Sequence, residues 1–335
     1  MKGSPSENAD VSLTGRSLLT VQELSAAELQ YLLNLSAQLK RERQHGVRGN
    51  RLERSNIALL FEKVSTRTRA AFTVAAEDEG ANVTFMRATD MHLGKKESIA
   101  DTARVLGRMY DGILFRGYLH ETAELLAKYA GVPVWNGLSD REHPTQTVAD
   151  LFTVQECFGE LRDLKIVYVG DGRNNVANSL MLGAAKVGVH FVNCTPKELS
   201  PDLELVEAAS RLARDTGGSV RIEREPKAAV EGANAVYTDV WVSMGEEAVF
   251  QERVDLLRPY QVTMELMRGT GHLEEGKVIF LHCLPAFHDK YTEITKEIGA
   301  LEVTDDVFEA PFSRVFDQAE NRMHTAKALM VATLL

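Results

Sequence analysis

A chain of 335 residues, 44% hydrophobic, 26% charged and with a net charge of −10, has the balance of a globular protein of about two domains. The acidic surplus argues against a nucleic-acid partner held on a broad basic surface, so any bound anion must be met by arginines gathered locally. Cys157, Cys194 and Cys283 stand far apart without CxxC spacing, which fits a reducing compartment rather than a disulfide framework or a zinc knuckle. The opening "MKGSPSENADVSLTG" lacks an apolar core and no run approaches the ~20 residues that span a bilayer, so a cytoplasmic location is expected. The first ten residues are polar and expected to be disordered.

In chain order, an amphipathic helix is predicted over 25–43, followed by strands at 56–61, 83–87, 111–116 and 132–136. Helices are predicted between or after them at 67–79, 97–109, 121–130 and 144–158. A second series has strands at 165–170, 189–194, 219–223, 235–240 and 278–283, the first four separated by helices at 175–187, 202–215 and 227–232. Such alternation predicts an α/β fold of two Rossmann-like domains, each a parallel sheet flanked by helices, joined by long helices. The boundary is expected near 150, giving domains 1–150 and 151–316, with a closing helix at 317–335 packing back on the first.

Ligands in open α/β sheets bind beyond the carboxyl ends of strands. "FEKVSTRTR" (61–69) places Ser65, Thr66, Arg67, Thr68 and Arg69 at such an end, where a helix also begins. Free N–H groups, hydroxyls and guanidinium forks there suit an anion, although Ser65 as a simple N-cap beside solvated arginines is the plainer alternative. Arg69 is expected to be structural. Arg116 ends the strand "DGILFR", and "EHPTQT" (142–147) puts His143 on the rim of a helix start, with Gln146 a second donor. "VGDGRNN" (169–175) imitates a dinucleotide fingerprint, but its third glycine position is Asn175, so it reads as a tight turn presenting Asn174 and Asn175. Asp239 near the end of an apolar strand would suit a cationic substrate, or a plain salt bridge. Cys283 lies near the end of a buried strand, where small hydrophobic packing is the ordinary role. His282, Cys283 and His288 offer only three donors at irregular spacing, which argues against zinc.

Taken in order, "FEKVSTRTR", "DMHLGKKES", "HPTQ", "DVWVSMGE", "HCLPAFHD" and "FDQAENRMHT" resemble the ornithine carbamoyltransferases of the aspartate/ornithine transcarbamylase superfamily, over residues 12 to 335. The resemblance implies that carbamoyl phosphate is held by Ser65, Thr66, Arg67, Thr68, Arg116, His143, Pro144, Thr145, Gln146 and Arg322, with Cys283 and Leu284 at its carbamoyl end. It implies that His92 serves a neighbouring subunit in a homotrimer with shared sites, or a higher assembly of trimers. Ornithine would be recognised by Asn175, Asp239, Ser243 and Met244. Arg116, His143 and Cys283 would carry the chemistry, with Cys283 and Asp239 orienting the amine and no covalent adduct. No metal, organic cofactor, nucleic acid or membrane partner is implied. The rivals are a carbamoyltransferase for putrescine, aspartate or an acylated ornithine, a nicotinamide oxidoreductase, and a non-catalytic relative. Direction, towards citrulline or back from it, is left open.

Overall fold

The computed structural model describes residues 11–242 and 249–335. The chain divides into two compact units, one comprising the chain up to Val148 with Arg322–Leu335, the other Ala149–Asn321.

The first unit runs α1 (Ala26–Gln44), β1 (Asn56–Phe61), α2 (Thr66–Asp78), β2 (Asn82–Arg87), α3 (Ile99–Leu106), β3 (Gly112–Arg116), α4 (His120–Ala130), β4 (Val134–Leu138) and the start of α5 (Pro144–Phe158). Its four strands are all parallel in the order β2-β1-β3-β4. Central β1, "NIALLF", buries five of its six residues, as a strand covered on both faces must, while the edge strand β2 buries none fully. Ala58, Leu60, Ile113, Phe115 and Val134 of the sheet pack with Ala103, Ala123 and Leu126 of α3 and α4. Serine hydroxyls start three helices, Ser25 accepting from Glu28 N, Ser65 from Thr68 N and Ser98 from Asp101 N. The Ser98 cap and Gly107 confine α3 to a shorter span than its periodicity predicts. β4 starts two residues later than predicted, because Pro133 has no N–H for the ladder.

The second unit continues through β5 (Lys165–Val169), α6 (Asn175–Lys186), β6 (His190–Cys194), α7 (Leu203–Thr216), β7 (Ser219–Glu223), α8 (Pro226–Val230) and β8 (Ala235–Thr238). It adds α9 (Phe250–Leu257), α10 (Met264–Arg268), β9 (Ile279–His282), α11 (Thr295–Ile298), α12 (Asp305–Phe308) and the start of α13 (Val315–Leu334). The sheet is again wholly parallel, ordered β7-β6-β5-β8-β9. The short helices α9 to α12 were not predicted, since four to eight residues hold too few turns for a helical period to show. β8 and β9 end before Asp239 and Cys283, leaving both side chains beyond the last ladder bonds.

Each sheet therefore has a point where consecutive connections leave in opposite directions, between β1 and β3 in the first and between β5 and β8 in the second. Among the described residues no helix is long and apolar enough to cross a membrane.

Candidate active site

In the first unit the elements flanking that reversal converge on one hydroxyl. Ser65 caps α2, Thr66 and Arg67 open the helix, and Thr68 is fully buried in its first turn. Arg322 Nη2 donates to Thr68 Oγ1 at 2.6 Å and Arg116 Nη1 at 3.4 Å. A threonine hydroxyl has two lone pairs and one proton. Two guanidiniums occupy the lone pairs, so the O–H is left to donate outward, and no described residue accepts from it. Arg116 also donates to Gly137 O at 3.3 Å. Gly137 packs closely here, since a Cβ there would lie 3.0 Å from Leu114 Cδ1 and 3.2 Å from Thr68 Cγ2.

His143, 3% exposed, precedes Pro144 at the start of α5. Its pKa is driven well below the ordinary histidine value by burial, then by the charges of Arg322, Arg116 and Arg67. The imidazole is thus neutral at physiological pH and offers a hydrogen bond without adding a fourth cation. Thr145 Oγ1 lies 3.5 Å from its Nδ1, and Gln146 is fully buried one turn on. The loop before His143 is tied down by residues the sequence did not single out. Glu142 Oε2 accepts from Val21 N at 3.0 Å, Ser139 N donates to Glu142 O at 3.0 Å, and Asn136 Nδ2 donates to Leu19 O at 2.9 Å. Arg69 turns away and stacks over Phe85 at 3.8 Å, the structural role expected of it.

In the second unit the cluster centres on a carboxylate. Asp239, 6% exposed, accepts from Asn174 Nδ2 at 2.9 Å on one oxygen. The other oxygen accepts from Val240 N at 2.8 Å and from the Cys283 thiol at 3.0 Å. Asn174 also caps α6, its Oδ1 accepting from Val176 N at 2.7 Å, so one amide starts the helix and holds Asp239. Asn175, the asparagine expected at the site, is the first residue of α6, whereas its neighbour makes the bond to the carboxylate. The glycines of "VGDGRNN" serve this turn, since a Cβ on Gly172 would lie 2.7 Å from Thr195 Cγ2 and 2.9 Å from Leu199 O.

Beneath Asp239, Tyr168 and Tyr237 stack at 6.0 Å, and burial first, then neighbouring carboxylates, pushes both phenols well above their usual pKa. Leu284 is held at φ +58, a left-handed conformation that costs a bulky residue about 1–3 kcal/mol. His282 Nδ1 accepts from Leu284 N at 2.9 Å and Glu302 Oε1 accepts from Phe287 N at 2.6 Å, bracketing this turn.

Asp239, His282 and Cys283 bring their donor atoms within 4.8 Å of one another, a grouping that sequence spacing did not anticipate. Both His282 nitrogens are committed, Nδ1 to Leu284 N and Nε2 to Glu302 at 3.2 Å, so the trio is poorly disposed to hold a metal. His288 belongs to a separate group with Asp305 and Glu309, stacking on Phe308 at 3.6 Å. His92 is exposed between β2 and α3, and among the described residues its imidazole makes no hydrogen bond or ion pair. Ser243 and Met244 lie outside the described residues.

Known proteins resemble this chain along nearly its full length. Residues 16–156 match the family model for the aspartate/ornithine carbamoyltransferase carbamoyl-P binding domain, and residues 162–333 that for the Asp/Orn binding domain. A Bacillus licheniformis protein named "Ornithine carbamoyltransferase, catabolic" is 53% identical over 98% of each chain. A Streptococcus pyogenes ornithine carbamoyltransferase is 55% identical over 96% of each. The solved ornithine carbamoyltransferase from Pyrococcus furiosus superposes with a TM-score of 0.89 at 43% identity, covering 97% of this chain and 99% of that one.

Proposed function

The chain belongs to the aspartate/ornithine carbamoyltransferase family, as a carbamoyl-transferring enzyme of its ornithine branch, and we propose that it joins carbamoyl phosphate to the δ-amine of L-ornithine, giving L-citrulline and phosphate. The observation that carries this reading is the gathering of Arg67, Arg116 and Arg322 around Thr68 and a neutral His143, in a protein of net charge −10. Three guanidiniums and a helix N-terminus suit a small dianion. Ser65, Thr66, Arg67 and Thr68 cradle its phosphate, Arg116 and Arg322 neutralise it, and Pro144, Thr145 and Gln146 shape the wall beside His143.

The δ-amine, with an ordinary pKa of about 10.4, must first give a proton to solvent. Its nitrogen then attacks the carbamoyl carbon, a C–N bond forms, and negative charge builds on the carbonyl oxygen. Thr68 O–H, Arg116 and His143 are donors already in place for that charge. The carbon–oxygen bond to phosphate breaks, and the second amine proton leaves with the phosphate. On the other substrate, Asp239 and the Cys283 thiol orient the amine, with Leu284 at the carbamoyl end and Asn175, Ser243 and Met244 on the amino-acid end. Carbamoyl phosphate is already activated, so positioning and charge stabilisation suffice.

The working unit in this reading is a cytoplasmic homotrimer in which His92 completes a neighbouring site, supported by the exposed imidazole and by exposed Val64, Tyr118 and Leu119. The catabolic assignment in the name of the Bacillus licheniformis relative favours use in arginine breakdown over biosynthesis. The deciding assay is citrulline formation from carbamoyl phosphate and L-ornithine, with putrescine, L-aspartate and N-acetylornithine in parallel. Product with L-ornithine alone is expected. Product only with another amine would keep the anion cradle and overturn the second-substrate assignment. Sedimentation of the purified chain tests the trimer, and a monomeric active enzyme would sink it.

A further inference from the structure

Helix α13 places a second buried cation against the first unit, away from the anion cradle. Arg322 meets Thr68, the third residue of α2, at 2.6 Å. Five residues later Lys327, 3% exposed, donates to Asp78 Oδ2 at 2.9 Å and lies 4.0 Å from Glu79 Oε1. Asp78 is the last residue of α2 and Glu79 its C-cap. The two cations of α13 therefore hold opposite ends of the helix whose first turn is the cradle. Ten residues of α2 span about 15 Å, so the two contacts fix the axial position of α13 at widely separated points.

The charge around Lys327 is organised. Arg43 pairs with Asp78, while Arg51 reaches Glu79 at 3.0 Å and Glu42 at 2.6 Å. Although burial works to raise the Asp78 carboxyl, the hydrogen bond and charge of Lys327, then Arg43, hold it below its usual value. Three cations thus face three carboxylates, and without Lys327 each carboxylate still keeps a guanidinium. The fold does not depend on this lysine alone. Arg322, in contrast, is the first residue of α13 that belongs to this unit, so a slip of the helix is felt there directly.

We propose that Lys327 is a positioning residue for carbamoyl phosphate, acting through Arg322 by pinning α13 to the far end of α2. The proposal rests on the reading of Arg322 as a carbamoyl phosphate ligand. Small misplacements of such a group are costly, because the supporting contacts set the geometry of those that touch substrate.

The test is calorimetric Kd for carbamoyl phosphate, with KM for L-ornithine and Tm, on Lys327→Met, Lys327→Arg, Arg322→Lys and the double variant Arg322→Lys/Lys327→Met. Expected is a rise of about tenfold in Kd for Lys327→Met with ornithine KM within about twofold, and recovery in Lys327→Arg. Because both act through one contact, Lys327→Met should add nothing in the Arg322→Lys background. A Tm loss with unchanged Kd would overturn the proposal and leave a structural ion pair. Multiplying effects in the double variant would also overturn it, by giving Lys327 a route independent of Arg322. An Arg322→Lys variant that binds as well as wild type would remove the ligand assignment and the inference with it. Wild type that binds no carbamoyl phosphate would instead overturn the proposed function, and the inference with it.

Discussion

The two polar clusters stand at the same topological address in their sheets and carry opposite electrostatics. In the first unit, two arginines donate to a threonine, and burial with the charges of three arginines lowers the pKa of a histidine. In the second, a carboxylate accepts from an asparagine amide, a backbone N–H and a thiol. Parallel sheets supply the location, a crevice beyond strand ends where connections diverge. They do not supply the sign. That comes from the residues at and beyond the strand ends, Arg116 closing β3 and His143 opening α5 in one unit, Asp239 and Cys283 directly after β8 and β9 in the other. One cluster is thereby suited to an anion, the other to a cation.

Substitutions can break this division of labour one side at a time. The largest effect is expected from Arg116→Ala, which in the proposed reaction removes a donor to the developing oxyanion and should lower kcat about 10²–10³-fold. If turnover falls less than tenfold, the charge stabilisation lies elsewhere. Asp239→Asn comes next, with kcat/KM for ornithine expected to fall about 10–100-fold while carbamoyl phosphate affinity stays unchanged, as befits loss of a charged hydrogen-bond partner. A matching loss of carbamoyl phosphate affinity would erase the distinction between the two clusters. Cys283→Ser should cost about tenfold or less, because a hydroxyl can replace the thiol as donor to Asp239. Complete inactivation would favour covalent chemistry at sulfur.

The neutral His143 makes a pH prediction whose sign follows from its lowered pKa. Above about 6.5 the imidazole is uncharged in folded and unfolded chains alike and contributes no pH dependence. Below that value the unfolded chain takes up a proton that the folded chain refuses, so stability falls with falling pH. His120, lowered chiefly by burial, adds in the same direction. Each such histidine contributes a slope of up to about 1.4 kcal/mol per pH unit. Denaturant titrations between pH 7 and 5 should show a shallower slope for His143→Gln, and an unchanged slope would mean that the imidazole charges in place. The smallest effect is expected from Arg69→Ala, about 0.5–1 kcal/mol of stability from the lost stacking on Phe85, with unaltered carbamoyl phosphate affinity.

Much of this was legible along the chain because the signals are local. Apolar runs such as "NIALLF" announce buried strands, Ser65 announces a helix start, and "HPTQ" announces a histidine beside one. Asn174 was seen only as part of a turn, since nothing local distinguishes which of two adjacent asparagines reaches a carboxylate 65 positions away. Glu142, Asn136 and Ser139 were passed over for the same reason, their partners being backbone groups of a distant segment and of one short loop. Lys327 looked like any charge on a terminal helix. Its burial depends on α2, some 250 residues earlier.

The sequence by itself determined the two parallel-sheet units, the helix that begins at the hydroxyl-arginine turn, and the residue types a dianion and an amine require. These depend on periodicity, capping and composition, which act over a few residues. Only the tertiary structure decided that Arg116 and Arg322 share one threonine hydroxyl, that His143 is neutral, and that the Cys283 thiol rests on Asp239. Those outcomes depend on burial and on the approach of segments far apart in the chain. Desolvation and charge–charge energies are set by distances in space, and no local pattern of residues encodes them.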